Sequence, residues 1–94
     1  MKRVQFLDFN CKVVKGKYAK GQNSLQLIDV EDGGPVATAS VCLPDQPQQE
    51  NQVFIKNYSE NAGIMETLML QGIISGPQAV IPGGHVNFTV HELL

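Results

Sequence analysis

"IKNYSENAGIMETLMLQGII", residues 55–74, decides the fold, because it joins an apolar start, an amide-rich entrance and the longest helical pattern of the chain. Ile64, Met65, Leu68 and Met69 fall at i, i+1, i+4 and i+5, which puts them on one side of a helix. The spacing predicts an amphipathic helix over roughly residues 59–71. Ser59 can cap its start, and Asn57 with Glu60 three residues on forms a competing capping box. Gly72 suits the left-handed position just past the end, with Ile73 folding back toward Leu68 in a Schellman arrangement.

On either side of this stretch the chain reads as short strands. "RVQFLD" (3–8) alternates apolar and polar residues, Asn10 can turn it, and "CKVVKGKYA" (11–19) follows as a β-branched strand with Gly16 as a bulge or close-approach point. "KGQNS" (20–24) supplies a loop before the strand "LQLIDV" (25–30). "EDGGP" (31–35) is the strongest turn signal, because Asp-Gly and Gly-Gly tolerate the positive φ of a tight hairpin, so "VATASVCL" (36–43) should pair antiparallel with that strand. "PDQPQQENQ" (44–52) carries two prolines and no apolar side chain and reads as a mobile surface loop before a fifth strand, "VFIKN" (53–57). After the helix, "QAVI" offers a short strand before a Pro-Gly-Gly turn. In "HVNFTVHEL" (85–93), Val86, Phe88 and Val90 alternate as core residues with His85, Asn87, Thr89 and His91 facing outward. Six or seven short strands and one helix make an α+β domain: a twisted antiparallel sheet with the helix on one face or end.

Ninety-four residues suit a single domain. With 43% hydrophobic and 17% charged residues the chain is neither disordered nor a coiled coil, and no apolar run approaches the roughly 20 residues that span a bilayer. Asp8 and Asn10 interrupt the apolar run a signal peptide needs, so a soluble cytoplasmic protein with no membrane association is expected. A net charge of -2 argues against coating nucleic acid through a global field. The basic residues nevertheless gather early, at Lys2, Arg3, Lys12, Lys15, Lys17 and Lys20, which leaves a one-sided basic patch open.

Tests for chemistry return structural readings. Two Cys and two His match the count of a zinc site, but Cys11 and Cys42 are 31 positions apart, and His85 and His91 on one strand lie about 20 Å apart. Both cysteines fall in strand-like runs with no helix N-terminus to lower a thiol pKa and read as reduced structural thiols. "EDGGP" and "IPGGH" follow neither phosphate-loop pattern and lead into no helix. Tyr18 and Phe9 stand among lysines without a repeated aromatic face, and Asp29, Glu31 and Asp32 read as solvated turn charges. No metal or cofactor is implied.

The segments "VVKGKYA", "LQLIDVEDGGPVATASVCLPD", "VFIKNYSENAGIMETLMLQGII" and "VNFTVHEL" together resemble a family of small uncharacterised proteins carried by phages, plasmids and other mobile elements of Gram-positive gut bacteria. The likeness runs from about residue 11 to 93, with "IKNYSENAGIMETL" its most specific piece. Gly34 before Pro35, and the lack of a Cys or Tyr near the end, depart from that pattern. The resemblance implies a compact accessory protein that binds a host factor, in the manner of inhibitors of bacterial defence, anti-CRISPR proteins included; it transfers no catalytic residue.

The leading expectation is therefore a non-enzymatic inhibitor of a host protein or ribonucleoprotein such as an RNA-guided nuclease. One alternative is a sponge that sequesters a nucleotide signal, with the lysines of residues 12–20 and the polar helix entrance contacting phosphate. Another is a small nuclease. Capping accounts for at most two polar residues of "NYSENAG", so Tyr58, Glu60 and Asn61, together with Lys12, Lys15 and Lys17, are the candidate binding residues. Gly63 adds to this surplus as a residue that weakens a helix. Replacing Tyr58 and Asn61 together is expected to spare folding and remove binding. A strand such as 85–92, if exposed, offers an edge for a homodimer.

Overall fold

The computed structural model describes residues 3–94, so Lys2 of the basic cluster lies outside the described residues. Among them the strands β1 (Arg3–Phe6), β2 (Phe9–Lys17), β3 (Asn23–Asp29) and β4 (Pro35–Thr38) form a sheet in the order β1-β2-β3-β4. β5 (Gln52–Lys56), β6 (Ala79–Pro82) and β7 (Asn87–Glu92) form a second, in the order β5-β7-β6. All pairings are antiparallel, and with the helix α1 (Ile64–Leu70) the domain is α+β as the residue pattern predicts.

Turn chemistry sets most boundaries. Phe6 pairs with Phe9 across a two-residue turn, so the reversal falls at Leu7–Asp8 and Asn10 is a ladder residue opposite Gln5. In the β3–β4 hairpin the Gly33 N–H donates to Asp29 O at 2.9 Å and the Asp29 N–H to Gly34 O at 2.8 Å, with Gly33 at φ +74°. Asp29 and Asp32 each accept a backbone N–H two residues on, from Glu31 and Gly34, so both carboxylates are turn-forming groups. β4 is shorter than the pattern of residues 36–43 suggests. Beyond Thr38 the Ala39 N–H still donates to Leu25 O of β3, and the chain then crosses to β5: Ser40 bridges Ile55, the Val41 N–H donates to Phe54 O, and the Lys56 N–H to Ala39 O. Residues 39–41 thus sew the two sheets together. Buried Ser40 serves both sides, its Oγ accepting the Leu25 N–H at 2.9 Å and lying 2.8 Å from the Tyr18 hydroxyl.

The core collects Val4 and Phe6 of β1, Cys11 and Val13 of β2, Leu25 and Leu27 of β3, Val53 and Ile55 of β5, and Ile64 and Leu68 of α1. Seven residues are too few for a helix to persist alone, so α1 owes its stability to this burial. Its start differs from the expected one. Ser59–Asn61 form a separate 3-10 turn, and Gly63, at φ +89°, is the N-cap of a helix that begins only at Ile64. Gly63 is therefore the hinge the two turns require, not a residue that weakens the helix. Ser59 makes no side-chain cap; Asn57 Oδ1 accepts the Met65 N–H at 2.9 Å, and its amide faces Glu66 instead of Glu60. The far end follows the pattern: Gly72 has φ +75°, and the Ile73 N–H returns to Leu68 O at 2.9 Å.

Three further expectations are corrected. β7 is the central strand of its sheet, paired on both sides, so 85–92 offers no free edge. His91 is buried, not outward; its ring nitrogens lie 2.8 Å from Ser75 O and 2.8 Å from Thr89 Oγ1, and burial lowers its pKa. The proline-rich loop after β4 is tied down. Gln22 donates to Leu43 O and Gln46 O and accepts the Leu43 N–H, while Asn23 Nδ2 donates to Glu50 O at 2.8 Å and Gln52 O at 2.6 Å. Both amides are buried, so a segment that reads as a plain loop is the clamp on another.

Candidate binding surface

The ladder register of the second sheet puts Phe54, Val90, Phe88 and Ile81 on one face, opposite Val53 and Ile55. Phe54 and Val90 are buried there, and the chain after β4 is held beside β5 by the Val41–Phe54 hydrogen bond and, further on, by the Gln22 clamp. A cleft of about 210 Å3 opens between residues 43–46 (Leu43, Pro44, Asp45 and Gln46) on one side and Ile81, Pro82 and Phe88 on the other. Its floor is tightly set: a Cβ at Gly83 would sit 2.5 Å from Phe88 Cε2. Tyr58 packs edge-on against Phe88, the ring centroids 6.0 Å apart and the planes at 63°. The arrangement is a mostly apolar mouth, with Asp45 and Gln46 on one wall and Phe88, backed by Tyr58, on the other, and it has room for an apolar side chain.

The helix-entrance candidates separate. Tyr58 is half-buried and reaches the cleft through Phe88. Asn61 does not face a partner: it is 2% exposed, and its amide donates to Thr38 O at 2.8 Å and Lys56 O at 3.2 Å, tying the end of β4 to the end of β5. The double replacement of Tyr58 and Asn61, expected to spare folding and remove binding, would on the Asn61 side leave two backbone carbonyls without their amide donor. Glu60 is exposed beside a different depression, lined by Val36, Lys56 and Asn61.

The lysines do not form one patch. Along the unbroken β2 ladder, Lys15 and Lys17 share the parity of Cys11 and Val13, while Lys12 falls on the opposite face. Lys15 Nζ donates to Leu94 O at 3.2 Å. Lys17 meets Lys20 at a polar cleft of about 220 Å3, lined also by Gln22, Gln48 and Glu50, where Gln48 Nε2 is buried without a hydrogen-bond partner. Cys11 is buried, its thiol pKa raised by desolvation and by the charge of Asp29; Cys42 is half-buried, and both are free thiols. Among the described residues no three His, Cys, Asp or Glu side chains come together as a metal site, and no helix is long and apolar enough to cross a membrane.

Comparison with protein-family models, with curated proteins and with solved structures gave no match.

The residue pattern missed two features here. Phe88 and Ile81 read as ordinary strand residues, because nothing in β6 or β7 says that they line a cleft facing residues 43–46. Gln22 and Asn23 read as loop residues because the carbonyls they hold lie more than 20 positions on.

Proposed function

We propose that the chain is a non-enzymatic binding protein that docks onto a host macromolecule and inhibits it, the leading target being a bacterial defence effector such as an RNA-guided nuclease. The observation that carries this reading is the apolar cleft at Phe88, backed by Tyr58. An aromatic side chain in a mostly apolar mouth is a composition in which protein interfaces concentrate their binding energy. The resemblance of "IKNYSENAGIMETL" to proteins of mobile elements supplies the host-directed context. Expression alongside a panel of defence systems under phage challenge tests it. Loss of protection in one system, restored by Ile81→Glu, is the expected result; unchanged protection in every system contradicts it.

A second reading is favoured by one observation, the meeting of Lys17 and Lys20 at a polar cleft. Two ammonium groups there suit a phosphorylated nucleotide, while Glu50 on the same wall opposes it. Thermal-shift titration with cyclic and linear nucleotides decides this: stabilisation lost in Lys17→Gln supports a sponge, and no shift with any of them removes it.

A further inference from the structure

The two outer edges of the fold are protected by different means. β6 is preceded by Pro77 and ends on Pro82, neither of which has an N–H to offer an incoming strand. β1 contains no proline. Because Asn10 O accepts the Val30 N–H from the β3 side, Asn10 turns away from β1, and its cross-strand partner Gln5 aims both backbone groups outward. Gln71, just after α1, occupies them. Its Oε1 accepts the Gln5 N–H at 3.1 Å and its Nε2 donates to Gln5 O at 3.3 Å, both in exposed positions. One primary amide thus stands where the peptide group of a neighbouring strand would stand.

Exposed apolar side chains surround the same edge. Leu70, directly before Gln71, is 87% exposed; Leu7, two residues beyond Gln5, is 64% exposed; Phe9, across the turn, is exposed too. Leu7 is also held at φ +54°, a conformation that opposes its Cβ and that Gly or Asn would adopt at lower cost. Folding alone gives no reason to keep a leucine at that tip.

We propose that the β1 edge is a self-association site, which a second copy of this chain occupies antiparallel about a two-fold axis at Gln5, with the Gln71 amide as the competing latch. The edge asks for a donor and an acceptor side by side, and Gln5 of a second copy presents that pair in matching orientation. Because the axis passes through Gln5, Arg3 of each copy lies opposite Leu7 of the other, where its aliphatic stem covers the leucine. The two four-stranded sheets then run on as one, and Leu7 and Leu70 lose solvent. β7, with both edges paired, takes no part.

Sedimentation equilibrium of the wild type, Gln71→Ala and Gln71→Ala with Gln5→Pro tests the proposal. With the axis at Gln5 only Val4 to Phe6 of each β1 pair within the strand, so the wild type should dimerise only toward about 1 mM. Opening the latch should tighten the dimer about tenfold. Gln5→Pro removes an N–H that the β1–β2 ladder does not use and should return the protein to a monomer, with circular dichroism reporting the fold. Should the proline variant not fold, hydrogen exchange at the Gln5 amide of Gln71→Ala serves instead, with protection rising with protein concentration as the expected result. A Gln71→Ala protein that stays monomeric to about 1 mM overturns the proposal, as does a dimer indifferent to Gln5→Pro or a Gln5 amide whose exchange ignores concentration.

Discussion

The helix entrance and the cleft beside it invert the ordinary placing of residues. At the entrance an asparagine is almost wholly buried; at the cleft, Ile81 and Phe88 keep part of their surface in water. They are neighbours, since Lys56, whose carbonyl Asn61 holds, pairs with Phe88 in the ladder. What separates them is the fate of the backbone. Where segments part from a shared ladder, as the ends of β4 and β5 do at Thr38 and Lys56, carbonyls need side-chain donors, and amides go inside to supply them. Where the ladder is complete, as between β6 and β7, nothing polar is required, and Ile81 and Phe88 line an open cleft.

If inward amides hold the segments together, removing them should cost most. Asn23→Leu strands the carbonyls of Glu50 and Gln52 and should destabilise the fold by about 4 kcal/mol in urea unfolding, releasing the proline loop to fast hydrogen exchange. Asn61→Leu leaves Thr38 O and Lys56 O unmet and should cost about 3 kcal/mol by the same measurement. Asn57→Ala removes the cap on the Met65 N–H and an exposed contact with Glu66, for about 1 kcal/mol. The smallest effect is confined to acid pH. Burial lowers the pKa of His91 from 6.5 in the folded state, so above that value both states are neutral and stability is unaffected. As pH falls below 6.5 the unfolded chain takes up the proton first and stability declines; His91→Gln should flatten that part of the unfolding profile.

How far the sequence reveals this fold depends on the reach of each signal. Signals closed within a few residues were legible: the "EDGG" hairpin, the apolar face of α1 and the Gly72 C-cap all rest on neighbours in the chain. Asn61, Gln22 and His91 read wrongly for the opposite reason. Apart from Thr89, two residues from His91, their partners are 5 to 24 residues away in other elements, and a polar side chain carries no mark telling a distant carbonyl from water. The strand order was equally silent, since alternation in "VNFTVHEL" fits a central strand as well as an edge. Of the candidate binding residues Tyr58 alone touches a residue that lines the cleft, and that contact follows from Phe88, which its local sequence assigns to the core.

The most direct test sets two leucine substitutions three residues apart against each other. Urea unfolding of Asn61→Leu beside Tyr58→Leu should show a loss of about 3 kcal/mol for the first, which orphans two carbonyls, and about 0.5 kcal/mol for the second, which keeps an apolar side chain against Phe88. Equal losses, or a greater loss at Tyr58, would contradict the account, because the amide would then be dispensable and the aromatic pair would be what holds the entrance.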